Sequence, residues 1–335
     1  MQRWTKLENQ GIPELKIEQN GAIVVGPLAI DGCAYKPVRI VTHAHQDHIV
    51  SLSKSYKNSG FVVATPETFA ILRGLGLRVN STKSLELKYD IPVTMYDAKF
   101  VFRKMNHIPG TAGVEVDLGG KRIAYTSDFR LEDSHIFENV DVLIIDATYG
   151  HPSYKRTWSR MHIVNKILHL IEEHDKNLWV YGYYGKAQGF MLLLREAGYR
   201  EPIVLTRKMY GITAELESVG LSFGKYLQYE SRESEELVKS NHSIIIDHAI
   251  NFKHRKKRPG IHVLLTGWAT KPVEILNEWH YRMSYSDHAD YYDILEYVRL
   301  ARPKTVIVDA SRSSYARFMA RAIENTLGIH ALAMP

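Results

Sequence analysis

Six consecutive residues, His43-Ala44-His45-Gln46-Asp47-His48, constrain this chain more than any other stretch. Four of the six side chains favour metal ions. The residues before them, 38–42 (Val-Arg-Ile-Val-Thr), are short in extent and β-branched, and read as a buried strand. Ile49, Leu52 and Ser53 then begin a helix-like pattern. The spacing therefore predicts a strand-to-helix junction lined with ligands. Residues two apart in an extended segment point to one side, so His43 and His45 can share an ion. Asp47 and His48 lie past the bend and can reach a second ion beside it. Imidazole and carboxylate donors suit zinc, and an open position suits hydrolysis. A polar turn with capping histidines is the plainer reading; four ligand types in six positions argue against it.

The pattern recurs downstream. Residues 121–126 and 140–145 read as buried strands followed by Asp128 and Asp146. Asn106-His107-Ile108-Pro109-Gly110 interrupts a strand-like alternation over residues 84–103. Strand ends are where α/β proteins place their active sites. Cys33 is the only cysteine, so no internal disulfide and no cysteine-rich zinc cluster can form. Any metal must be held by histidine and carboxylate, and a reducing compartment is expected: the cytoplasm, or the nucleus in a eukaryote. Residues 1–10 are polar and show no signal-peptide pattern, and no apolar run is long enough to cross a bilayer, so no membrane partner is expected. The formal net charge of +6 favours phosphate-bearing partners.

The texture changes near residue 151. Helix patterns alternate with apolar strands over 178–181, 203–206, 243–247 and 261–266, which predicts a second, parallel sheet. This part holds the glycine-flanked turn Gly185-Lys186-Ala187-Gln188 and a basic run that includes Lys253, Arg255, Lys256, Lys257 and Arg258. The run reads equally as a solvated loop and as a DNA contact. A third piece begins near residue 280 with Tyr285-Ser286-Asp287-His288, then a helix, a strand and a last helix. The expected division is 1–150, 151–278 and 279–335.

Taken in order, these pieces resemble the metallo-β-lactamase superfamily and, within it, the β-CASP nucleases. The resemblance is carried by Asp31, the His43–His48 motif, His107, Asp128 in Thr-Ser-Asp-Phe, Asp146 in Asp-Ala-Thr-Tyr-Gly, and His288 in Ser-Asp-His-Ala-Asp. Thr266-Gly267-Trp268 resembles a segment of the DNA cross-link-repair and Artemis branch, and Gly-Lys-Ala-Gln is similar to the prokaryotic exonucleases associated with DNA ligases. The resemblance implies an α/β fold: a four-layer αββα sandwich (1–150 and 279–335) interrupted by an inserted α/β β-CASP domain (151–278). It implies one or two zinc ions. His43, His45, His107 and Asp128 would hold the first, and Asp47, His48 and the bridging Asp128 the second, where Mg2+ or Mn2+ is also admissible. Asp31 would fix a ligand histidine from behind. Asp146 would orient the site, His288 would protonate the leaving oxygen, and Ser286 would bond a phosphate oxygen. Asp47, Asp128, Asp146 and His288 are thus the expected catalytic set.

One departure informs the choice of substrate. The RNA-cleaving branches carry a further histidine where this chain has Ala310; the DNA-processing branch lacks it. The implied function is a zinc-dependent nuclease acting on nucleic acid, with DNA favoured over RNA: a 5′-to-3′ DNA exonuclease in repair. An RNA-processing nuclease, a small-molecule hydrolase and a non-catalytic nucleic-acid-binding protein stay open as alternatives.

Overall fold

A computed structural model describes residues 15–335, so the expectation for residues 1–10 lies outside the described residues. The chain divides into two compact units. One comprises residues up to 69, 78–155 and 288–335; the other comprises 70–77 and 156–287.

The first unit holds two sheets. In the first sheet, Leu15–Ile17 and Ile23–Val25 form a hairpin, Leu28–Ile30 follows antiparallel, and Val38–Ile40, Phe61–Ala64 and Ser84–Glu86 add in parallel. In the second sheet, an antiparallel meander of Val93–Met95, Ala98–Lys104, Ala112–Leu118 and Lys121–Tyr125 continues into three parallel strands, Val142–Ile145, Thr305–Asp309 and His330–Met334. Period-2 alternation decides what each face buries. Phe100, Phe102, Val114, Val116, Val142 and Ile144 point at Ile23, Val25, Ile40 and Val63 of the first sheet. Leu143, Ile145, Val306 and Val308 point the other way, onto Ile294, Val298, Met319 and Ile323 of the helices Tyr291–Ala301 and Ala316–Leu327. On the first sheet's side, Leu52–Asn58 packs against Phe61–Ala64. This gives the expected order of layers: helix, sheet, sheet, helix.

The second unit is one seven-stranded sheet, in the order Tyr226–Gln228, Ile203–Leu205, Ile244–His248, Leu178–Gly182, Ile261–Thr266, His280–Ser284, Val273–Asn277. All adjacent pairs are parallel except the last. The helices Arg160–Glu173, Lys186–Glu196, Arg207–Ser218 and Arg232–Lys239 accompany it, with the 3-10 turn Ala249–Lys257. The Gly185-Lys186-Ala187-Gln188 turn is a structural device. Gln188 Oε1 accepts from Gly185 N at 2.7 Å, closing the first turn of Lys186–Glu196. Lys186 Nζ donates to Tyr285 O at 2.9 Å and pairs with Asp287 Oδ2 at 3.3 Å.

The boundaries differ from the expected ones for physical reasons. His280–Ser284 pairs in parallel with Ile261–Thr266, so the second unit runs to 287 rather than 278. Residues 70–77 join it as well. Arg73 Nε donates to Glu215 Oε2 at 2.8 Å, and Gly74 sits so close to Ile212 that an added Cβ would lie 2.6 Å from Ile212 Cα.

Candidate metal centre

Every residue of this site belongs to the first unit. The strand Val38–Ile40 delivers Thr42 and His43 to its carboxyl end, and the turn that follows, before the helix Leu52–Asn58, carries His45, Asp47 and His48. The second sheet supplies the rest: His107 after Ala98–Lys104, Asp128 after Lys121–Tyr125, and Asp146 directly after Val142–Ile145. His288 precedes the helix Tyr291–Ala301. That helix is capped by Asp290, whose Oδ1 accepts from Tyr292 N and Asp293 N, so His288 is not spent as a cap.

The donors converge. His43 Nε2 lies 3.4 Å from Asp128 Oδ2, His107 Nε2 lies 3.6 Å from the same oxygen, and His107 Nε2 lies 3.1 Å from His45 Nδ1. Two donors about 2.0–2.1 Å from a tetrahedral zinc ion stand about 3.4 Å apart, which is the spacing found here. One donor atom from each of His43, His45, His107 and Asp128 falls within 4.8 Å of all the others. Asp128, Asp146 and His288 form a second such group; Asp47, His48 and Asp128 do not close into one among the described residues. The Nε2 atoms of His43 and His48 are buried with no hydrogen-bond partner, a costly state for a polar atom unless a cation completes it.

The surroundings set which nitrogen faces the centre. Asp31 Oδ1 accepts from Thr42 N at 2.9 Å, and its Oδ2 accepts from Thr42 Oγ1 and from His48 Nδ1, each at 2.7 Å. His48 is therefore held with Nε2 pointing away from Asp31, 3.4 Å from both Asp128 Oδ2 and Asp47 Oδ2. Ser127 Oγ donates to Thr42 Oγ1 at 2.7 Å, and both hydroxyls lie 3.2 Å from His43 Nδ1. With those hydroxyl protons already given, His43 Nδ1–H is the donor and Nε2 keeps its lone pair. Asp31 and Ser127 both sit at positive φ, 51° and 58°, an uncommon backbone state held where side chains must be aimed.

The electrostatics fit metal ligation. Burial, with neighbouring His48, lowers the His43 pKa to about 3, and burial lowers His45 to about 4. Burial and the proximity of His288 and His43 hold His107 well below its ordinary value. These rings are neutral and available as ligands. The Asp128 carboxylate stays far below its usual range despite burial, because His48 and His288 surround it. His48 moves upward: burial and Arg312 oppose its charge, but Asp128, Asp31 and Asp47 outweigh them.

His288 Nδ1 donates to Asp146 Oδ2 at 3.1 Å and lies 3.9 Å from Asp128 Oδ2. Asp146 is itself fixed, its Oδ1 accepting from Thr148 N at 2.9 Å and Thr148 Oγ1 at 2.8 Å. Asp47 is the exposed member, with 58% of its side chain accessible.

Other expectations fare differently. Ser286 is buried, and the structure assigns it to the second unit. Within the basic run, Arg258 Nη1 donates to the buried carboxylate of Asp247 at 2.6 Å and its guanidinium lies over Trp179, while Arg255 Nη1 donates to Phe252 O at 3.0 Å and lies over the Phe252 ring. These two arginines are engaged in the second unit's own structure. Lys253, Lys256 and Lys257 remain exposed. Sequence reasoning missed Thr42, Ser127, Thr148 and Arg312. The first three have a legible signal, a hydroxyl residue adjacent to or two positions from an anchor. Arg312 has none.

Residues 34–181 match the beta-lactamase superfamily domain. Within those residues the chain is similar to the metallo-β-lactamase superfamily. The curated relatives it resembles include DNA cross-link repair proteins and endoribonucleases. It is 25% identical over 314 residues to the DNA cross-link repair protein SNM1 of Arabidopsis thaliana, covering 84% of this chain and 63% of that protein. It is 24% identical over 211 residues to the endoribonuclease YSH1 of Mycosarcoma maydis, covering 52% of this chain and 24% of that protein. The chain thus spans less than two thirds of either curated relative. A crystal structure of a protein of unknown function from Enterococcus faecalis shares the fold, with a TM-score of 0.62 at 14% identity over 89% of this chain and 79% of that one.

Proposed function

We propose that this chain is a zinc-dependent phosphodiesterase that degrades nucleic acid, preferring DNA and working from the 5′ end, in DNA repair. The observation that carries the reading is the four-donor cluster of His43, His45, His107 and Asp128 beside the His288–Asp146 pair. When bound, zinc supplies a Lewis acid that polarises a phosphate and acidifies water. The chain's own residues do the remainder. Asp31, Thr42 and Ser127 aim imidazole lone pairs at one point. Asp146 holds His288 through Nδ1, which leaves Nε2 to hand a proton to the departing oxygen. The exposed Lys253, Lys256 and Lys257 and the net charge of +6 draw a polyanion to the protein. Support for DNA comes from Ala310 and from the longer stretch shared with the cross-link repair relative than with the endoribonuclease. The single cysteine suits a reducing compartment, and we place the activity in the cytoplasm, or the nucleus of a eukaryote.

The test is an end-labelling assay on matched single-stranded DNA and RNA, each with and without a 5′-phosphate. Progressive loss from the 5′ end of DNA, abolished by chelator and restored by zinc, is the expected result. Preferential loss of RNA would transfer the chain to the processing nucleases. Binding without cleavage of either would make it a nucleic-acid-binding protein.

A further inference from the structure

The Asp47 side of the metal centre already contains a cation. Arg312 follows the strand Thr305–Asp309, and only 9% of its side chain is accessible. Its Nη1 donates to Asp309 Oδ2 at 2.8 Å and its Nη2 to Gly21 O at 2.9 Å. Its Nε lies 3.6 Å from Asp47 Oδ2, and its Nη2 lies 3.4 Å from Asp47 O. Nε is buried and makes no hydrogen bond, so it faces the Asp47 carboxylate as a charge rather than as a bonded donor. Gly21 has φ +81°, and a Cβ there would overlap the guanidinium, so the turn leaves room for it.

The carboxylates placed to build a second ion site are correspondingly engaged. Asp309 Oδ1 accepts from Ser311 N at 2.8 Å and Ser311 Oγ at 2.5 Å, which with the Arg312 bond leaves little of this carboxylate to offer a metal. Ala310 packs against the hydrophobic cluster beneath the outer helices. A guanidinium is always charged and spreads that charge over a planar fork, and here the fork spans Asp309 and Gly21 while Nε faces Asp47. A divalent ion entering beside Asp47 would meet this like charge at close range.

We propose that Arg312 is a positioning residue that supplies, as a fixed guanidinium, the positive charge a second metal ion would otherwise bring to the Asp47 side, so that the chain works with one ion. The proposal rests on the metal-dependent reading above, and the two fail differently. The test is zinc content by elemental analysis of the dialysed full-length protein, together with a calorimetric zinc titration, for the parent, Asp47→Ala, Arg312→Lys, Arg312→Ala and the Arg312→Ala/Asp47→Ala pair. One equivalent is expected in the parent, in Asp47→Ala and in Arg312→Lys. Arg312→Ala frees the Asp47 and Asp309 carboxylates and is expected to take up a second equivalent, which the paired variant loses. If Arg312→Ala does not fold, the comparison of parent with Asp47→Ala still decides: two equivalents in the parent, one of them lost in Asp47→Ala, overturn the proposal. A single equivalent in a folded Arg312→Ala also overturns it. Metal in none of the proteins overturns the functional reading itself.

Discussion

At the scale of single residues, the site separates groups that hold a ligand from groups that do chemistry. Asp31 makes three hydrogen bonds and reaches His48 Nδ1 at 2.7 Å, so it sets that ring's tautomer and direction. Removing such an orienting partner typically costs 10–100-fold in metal affinity, and Asp31→Asn is expected to weaken zinc binding by about that factor in a competition with a chelating dye. Asp31 also holds Thr42, whose hydroxyl lies 3.2 Å from His43 Nδ1, and an unchanged affinity would show that this route to the ligand His43 contributes nothing to retention. His288 is the other kind of residue. Its Nδ1 is tied to Asp146, so His288→Ala is expected to lower single-turnover cleavage by about two to four orders of magnitude while nucleic-acid affinity changes far less. The same atom lies within reach of Asp128 as well, which gives the measurement its edge. Should His288→Ala shed zinc, the ring is a ligand and the proton donor lies elsewhere.

Among the elements, the 3-10 turn Ala249–Lys257 shows how misleading a charge run can be. The cations of this turn, and Arg258, which follows it, divide by geometry. Arg258 sits on Trp179 and neutralises the buried Asp247, whereas Lys253, Lys256 and Lys257 face solvent. Two outcomes follow that should not mix. Replacing the three lysines with alanine should flatten the salt dependence of single-strand binding by about 0.7 in log–log slope for each phosphate no longer neutralised, with thermal stability unaltered. Arg258→Ala should instead destabilise the second unit by about 3 kcal/mol, because Asp247 is left buried and uncompensated. Melting curves and salt titrations of the two variants separate the roles; an unchanged slope for the lysine variant would leave that turn a solvated surface.

Across the whole molecule, the buried histidines link stability to pH. His43 is depressed to about 3, His45 to about 4, and His107 well below its usual value, all chiefly by burial. In the unfolded chain these rings return to about 6.5, so below that pH the unfolded state binds more protons than the folded one. Their contribution is fully present above pH 6.5 and is lost as pH falls towards their folded values. His48 has the opposite sign: its pKa is raised, so its contribution is present below 6.5 and fades as pH rises through the folded value. At the metal centre three lowered rings stand against one raised ring, and the buried His262, lowered to about 4, and His248, also lowered, act in the same direction, leaving net acid destabilisation worth up to about 1.4 kcal/mol per pH unit for each uncompensated histidine. Calorimetry in the presence of chelator should therefore show a melting temperature that drops between pH 6.5 and 4. A flat profile there would mean that the rings are not held neutral.

What the sequence determined by itself is the part of the protein governed by local rules. Short, nearly continuous apolar runs located the buried strands Val142–Ile145, Leu178–Gly182 and Ile261–Thr266. The dense His43–His48 motif and the polar residues at strand ends located the metal centre for the same reason: each anchor lies at the end of an element that the chain itself specifies. Less regular segments escaped, among them Ala112–Leu118, with an alternating carboxylate pattern, and the edge strand His330–Met334, where only pairing with Thr305–Asp309 makes the segment a strand. Tertiary structure alone decided the rest. The unit boundary at 287 depends on His280–Ser284 finding a place beside Ile261–Thr266, a pairing that no local pattern encodes. Which cations of the basic run are free depends on a carboxylate at Asp247, outside the run. And Arg312 reaches Gly21 and Asp47 across 291 and 265 positions of sequence, an approach that only the folding of both sheets into one sandwich creates.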